Sequence, residues 1–231
     1  MPKNINTKLT KLIKYYSLIN HNLIFNNKSI NRYNKKQPNI RKDKAQSLKK
    51  LREDIKNIKN CKLKDNASNL VFSDGNPDAK IMIIGEGPGA NEDKEGLPFV
   101  GRAGQLLDKM LNAINLNREK VYITNVVNYR PPENRKPTDI EVERYLPFLK
   151  KHIQIIKPKI ILLLGSTAMN AILKNTDVIS KMRGKWHEFE INELKISSIV
   201  SFHPAYLLRQ PDQKKFSWVD LKMIREKLKK L

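Results

Sequence analysis

The chain has 231 residues, with 45 lysines and arginines against 23 aspartates and glutamates and a formal net charge of +22. That length suits one α/β domain with a sizeable core and an appendage, and the basic excess favours a polyanionic partner, of which nucleic acid is the commonest. Cys61 is the single cysteine, which excludes an internal disulfide and a cysteine-built metal cluster, and no apolar run nears the ~20 residues of a membrane span.

In chain order, residues 1–45 read as a basic, flexible extension. Residues 1–60 carry 16 basic and 3 acidic side chains, and no acidic residue precedes Asp43. Lysine and asparagine enrichment from an AT-rich genome would give part of the same excess. Leu9, Leu12, Ile13 and Tyr16 have helical apolar spacing, so a short amphipathic helix is expected there. No apolar stretch ends at a small-residue cleavage site, so no signal peptide is expected. An organelle transit peptide would be richer in arginine and serine. A solvated or DNA-clinging tail is the reading that remains.

A helix around Ala45–Lys59 leads into the second region, residues 46–231. Four short, β-branched apolar runs follow: Lys80–Glu86, Val121–Asn128, Lys159–Gly165 and Ser197–His203. Helical patterns at Ala103–Ile114, Thr138–Ile156 and Thr167–Leu173 separate them. Continuous rather than alternating apolarity means both faces of the sheet are covered, and the alternation of strand with helix means parallel strands. The expected fold is an α/β three-layer sandwich around a mainly parallel four-stranded sheet. Lys185–Ile199 predicts a hairpin turning at Asn192-Glu193, and Ser217–Lys230 a closing helix.

Ligands of open parallel sheets bind outside the carboxyl ends of the strands, and three strand ends here run into unusual segments. The first, from Gly85, reads GEGPGANED and continues to Gly96-Leu97-Pro98-Phe99-Val100-Gly101. It lacks the Gly-Lys-Ser/Thr of a phosphate loop, and Glu86, Glu92 and Asp93 would repel phosphate. Tight backbone beside carboxylates suits a neutral, hydrogen-bonding ligand such as a base. As pattern alone Phe99 reads as an ordinary core aromatic. Asn125, ending the second strand, carries an amide that can pair with the edge of a base, or serve as a turn cap. His203-Pro204 ends the last strand and is a candidate for catalysis, although a lone histidine is more often structural. Leu207-Leu208-Arg209 could form an apolar wedge with a phosphate anchor, or simply start a helix that packs on the core.

GEGPGANEDKEGLPFVGRAG, TNVVNYRPPENRKP and FHPAYLLRQP, in this order and spacing, resemble the three signature stretches of the family 4 uracil-DNA glycosylases. The resemblance covers roughly residues 55–231. It implies a monomeric, cytoplasmic DNA-repair hydrolase, acting in the bacterial cytoplasm or nucleoid, that flips uracil out of DNA and hydrolyses its N-glycosidic bond. The implied roles are stacking on the base for Phe99, hydrogen bonding to its edge for Asn125, exclusion of a thymine methyl for Glu92, and backbone contacts for Glu86 and Gly87. His203 would stabilise the charge growing on the uracil O2. The better-known family 1 carries an aspartate where Gly87 stands, so Glu86 becomes the expected group that orients water. DNA contacts are expected from Arg130 and Arg135 in the Tyr129–Arg135 loop, and from Leu207, Leu208 and Arg209.

The resemblance has one gap. Family members carry four cysteines around a 4Fe–4S cluster, and the matching places hold Ile58, Cys61, Tyr129 and Tyr145. One thiolate cannot hold a cluster that needs four, so no metal and no cofactor are expected. Two rival readings are a non-catalytic DNA-binding protein that retains the fold, and a relative that cross-links to the abasic sugar. The first should have lost Asn125 or His203, and the second needs a longer, histidine-containing loop where NYRPPENRKP stands.

Overall fold

The computed structural model describes Thr10, Lys11, Lys14, Tyr15 and residues 40–231. The helix expected over Leu9, Leu12, Ile13 and Tyr16 lies outside the described residues, as does most of the 1–45 extension. The chain divides into two units, Met1–Ile40 and Arg41–Leu231, and the second carries everything that follows.

Helix α1 spans Ile40–Lys56, so it begins before the expected Ala45 and runs through the expected boundary at residue 46. Leu48, Leu51 and Ile55 are buried on one face at helical spacing. Lys44 fixes the helix start, its Nζ lying 2.9 Å from Asp78 Oδ1 and 3.0 Å from the Pro77 carbonyl. After α2 (Lys62–Asn66) and the two-residue strand β1 (Asp74–Gly75) come strand β2 (Ile81–Gly85), helices α3 (Ala90–Glu95) and α4 (Arg102–Asn112), and strand β3 (Val121–Asn125). Helix α5 (Asp139–Ile156), strand β4 (Ile160–Leu164) and helices α6 (Ser166–Leu173) and α7 (Ile179–Met182) follow. Strands β5 (Trp186–Ile191) and β6 (Leu194–Ser201) and helices α8 (Pro204–Arg209) and α9 (Lys214–Leu228) complete the chain.

The strand order is β1-β3-β2-β4-β6-β5. The four expected strands are β2, β3, β4 and β6, all parallel, and antiparallel β1 and β5 extend the sheet at its two edges. The expected hairpin is present as β5 and β6, turning at Asn192 with φ 51°. Alternate residues of the parallel strands enter opposite layers, as their period of two requires. Met82, Ile84, Ile161 and Leu163 pack with Leu51, Ile55, Leu149 and Ile153 of α1 and α5. Ile81, Ile83, Ile160 and Leu162 pack with Leu107, Leu111, Leu221 and Ile224 of α4 and α9. Helices therefore cover both faces, giving the three layers. Among the described residues no helix is long and apolar enough to cross a membrane.

Register decides where a ligand can go. Gly85 pairs with Asn125, and Leu164 with Ser201. The carboxyl ends of the parallel strands thus finish along one edge of the sheet.

Candidate active site

A pocket of about 170 Å³ opens at that edge, lined by Glu86, Glu92, Phe99, Asn125 and His203 among others. A cavity of about 150 Å³ admits a single benzene ring, so the space suits one small heterocycle. Gly85 brings two walls together. A Cβ on it would lie 2.5 Å from both Asn125 Oδ1 and Phe99 Cζ, so only glycine lets the ring and the amide close over β2. The Phe99 ring faces His203, with ring centroids 5.6 Å apart and planes 29° from parallel. The ordinary-core reading of Phe99 is half right: it is buried, yet it lines the pocket.

Asn125 is buried at the end of β3, and its Oδ1 has no hydrogen-bond partner among the described residues. A buried acceptor left unpaired costs about 1–3 kcal/mol. A turn cap would be satisfied by the backbone, and this Oδ1 is not, so Asn125 does not act as a turn cap.

His203 caps helix α8. Its Nδ1 accepts the Ala205 backbone N–H at 3.2 Å, and Pro204 occupies the first helical position. An Nδ1 used as acceptor puts the proton of a neutral imidazole on Nε2. Burial holds the His203 pKa down at about 4, helped by the positive charge of Arg209 and opposed by Glu92. The imidazole is therefore neutral near pH 7, with Nε2–H free to donate. Gly165, at φ +92°, leaves room for it, since a Cβ there would approach the His203 Cβ to 3.3 Å.

Glu92 lines the pocket, but both carboxylate oxygens are engaged. Oε2 accepts the Gly89 amide at 3.1 Å, and Oε1 accepts Val100 and Gly101 at 3.0 and 2.8 Å. The side chain is a fixed tie between the two halves of the glycine-rich segment. Glu86 accepts a hydrogen bond from the Thr167 hydroxyl at the start of α6. Thr167 was not anticipated. It follows the end of β4, the one parallel strand end whose flanking residues carry no conspicuous motif, and the strand-end rule alone could have flagged it. At Gly87 a Cβ would meet Val127 Cγ2 at 2.7 Å, so this backbone refuses an aspartate unless Val127 moves.

The rim divides. Arg130 bonds Asn134 Oδ1 at 2.9 Å. Arg135 grips Glu141 through two bonds of 2.8 and 2.7 Å and pulls that carboxyl down to about 2. Its charge is thus largely matched within the chain. Leu208 is 37% exposed and Arg209 exposed. Leu207 corrects the sequence reading: it is fully buried and cannot reach DNA. Phe202 precedes the cap and Leu207 is the fourth helical residue, and both lie in the same core layer, the arrangement of a hydrophobic staple.

The four places matched to cluster cysteines form one packed corner. Cys61 Sγ lies 3.2 Å from the Tyr145 hydroxyl, both are buried, and Ile58 packs on the same core. Burial, and then the neighbouring Cys61, push the phenols of Tyr129 and Tyr145 up. Phenol rings and one thiol do not fit a cluster. Among the described residues no group of three or more His, Cys, Asp or Glu side chains could hold a metal ion.

The sequence model of the uracil DNA glycosylase superfamily matches residues 72–226. The chain is 44% identical over 185 residues to the type-4 uracil-DNA glycosylase of Sulfurisphaera tokodaii, covering 78% of this chain and 84% of that one. It is 45% identical over 158 residues to the type-4 enzyme of Thermotoga maritima, covering 68% and 81%. With the type-4 enzyme of Archaeoglobus fulgidus the identity is 40%, over 78% and 93%. A family match spanning all three strand-end segments, on a fold whose pocket they jointly line, makes the chain a member of the uracil-DNA glycosylase superfamily.

Proposed function

We propose that the chain removes uracil from DNA by hydrolysing the N-glycosidic bond, leaving an abasic site for base excision repair. The observation that carries this is the orphaned Asn125 Oδ1 in a one-ring pocket opposite a neutral histidine donor. Uracil offers N3–H to Oδ1 and O4 to Nδ2. Cytosine inverts both, leaving mispaired buried groups that cost about 1–3 kcal/mol each.

A base inside a duplex must leave the stack to be reached. We assign Leu208 to fill the gap and Arg209 to the adjacent phosphate, with Arg130 next to the pocket residue Pro131 as a further phosphate contact. In the pocket Phe99 stacks on the flipped ring, the Glu86–Gly87 backbone borders it, and rigid Glu92 walls off the space a thymine methyl needs. As the bond to the sugar lengthens, negative charge grows on O2 and is met by Nε2–H of His203. Water attacks the sugar cation, and Glu86, steadied by Thr167, is the carboxylate assigned to orient it.

The test is release of uracil from a labelled oligonucleotide, read as strand scission after alkaline treatment. Uracil strands should be cut and matched thymine and cytosine strands spared; intact uracil strands would refute the reading. We assign the basic residues before α1 to phosphate contacts that hold the enzyme on DNA in the cytoplasm, as a monomer. A chain beginning at residue 40 should keep the chemistry but bind DNA with a shallower salt dependence, since each duplex phosphate contact contributes about 0.9 to the slope. An unchanged slope removes that role.

We further propose that the enzyme works without an iron–sulfur cluster, because the Cys61–Tyr145 corner is filled by packing. Protein purified anaerobically should be colourless and free of stoichiometric iron and sulfide. Finding both at cluster stoichiometry would overturn this.

A further inference from the structure

Phe99 has φ 56°, the left-handed region in which a bulky aromatic residue is an outlier. Such a backbone persists only where its surroundings over-determine it. Two charged side chains grip the chain on either side of this residue. Arg118, in the short turn before β3, donates Nη1 to the Pro98 carbonyl at 3.2 Å and Nη2 to the Phe99 carbonyl. Beyond Phe99, Glu92 holds the amides of Val100 and Gly101. Behind it, a Cβ on Gly104 of α4 would come within 1.7 Å of the Phe99 carbonyl oxygen, so the helix backbone abuts this peptide.

Arg118 is itself fixed from two elements. Asp74 of β1 lies 2.6 Å from Nη1, and Asp108 of α4 lies 2.9 Å from Nε. A structural ion pair would need only the two carboxylates. Here the planar fork turns two further donors to the Pro98 carbonyl and to the strained residue's own carbonyl, an arrangement a single ammonium cannot copy.

We propose that Arg118 is a positioning residue, which sets the left-handed backbone of Phe99 and so holds the ring as a preformed surface before the base arrives. The inference rests on reading Phe99 as the stacking surface. It also gives the edge strand β1 a part in the site, since Asp74 reaches the pocket wall through Arg118.

The test is a double-mutant cycle in the full chain, with Phe99→Ala, Arg118→Lys and both together. Single-turnover excision and half-saturation by uracil DNA are measured, with thermal unfolding alongside. Loss of one base–aromatic stack should weaken Phe99→Ala by roughly tenfold to a hundredfold. Arg118→Lys should reproduce much of that loss, and adding Phe99→Ala to it should cost less than about threefold more, because the two act as a unit. Losses that multiply in full overturn the inference while leaving the stacking reading intact. An undiminished Phe99→Ala enzyme overturns the stacking reading itself, and the inference with it. If Arg118→Lys does not fold, Asp108→Asn, which loosens the same guanidinium from a half-exposed carboxylate, enters the cycle in its place with the same criteria.

Discussion

His203→Ala should lower the single-turnover rate of uracil release by about a hundred- to a thousandfold, the usual scale for one preorganised donor to a developing oxyanion. Affinity for DNA carrying a non-cleavable uracil analogue should hardly change, because the donor acts on charge that exists only in the transition state. The same substitution removes the cap of α8 and should cost about 1 kcal/mol of stability. His203→Ser should return the cap without restoring the rate, which separates the two roles by thermal unfolding and by kinetics. Equal losses in affinity and rate would make His203 a binding or structural residue. The pH dependence follows from the same atom. With its pKa held at about 4 in the folded chain, against about 6.5 unfolded, His203 binds its proton more readily once the chain unfolds. Stability is therefore intact above pH 6.5 and declines as pH falls from there towards 4, a trend that buried His152, held at about 3, shares. The rate through His203 should show no inflection near 6.5, since the imidazole stays neutral until pH nears 4. An inflection near 6.5 that vanishes in His203→Ala would mean that burial does not hold the His203 pKa down.

Asn125→Ala should lose both rate and selectivity. Its amide pairs with an edge already present in the bound ground state, so affinity for the uracil analogue should fall together with excision, unlike at His203. Removing the groups that cytosine would mispair should narrow the ratio of uracil to cytosine excision by about tenfold to a hundredfold. The measurement is single-turnover excision on matched uracil and cytosine strands. An unchanged ratio with a lower rate would show that the orphaned Oδ1 is not the discriminating contact.

Much of the site was legible because it sits where strands end. The four apolar runs, continuous rather than alternating, announced a sheet covered on both faces, and the segments after Gly85, Asn125 and Phe202 carried the unusual chemistry. What escaped has physical reasons. Strand β1 is two residues long, too short for any period to register. Arg118 and Asp74 are ordinary charged residues whose partners are set by tertiary structure. The tie made by Glu92 depends on bonds to backbone amides, which no side-chain pattern records. Leu207 was legible and misread. Once His203 is taken as the cap, Phe202 and the fourth helical residue form a staple that turns Leu207 inward and leaves Leu208 outside.

The corner of Ile58, Cys61, Tyr129 and Tyr145 also bears on how the protein is made. Side chains delivered by translation pack it, so on the proposed cluster-free reading nothing has to be inserted there after synthesis. On that reading iron starvation would leave this corner of the molecule unchanged. Recombinant chain produced in hosts without a cluster-assembly system should be as complete as chain produced beside one.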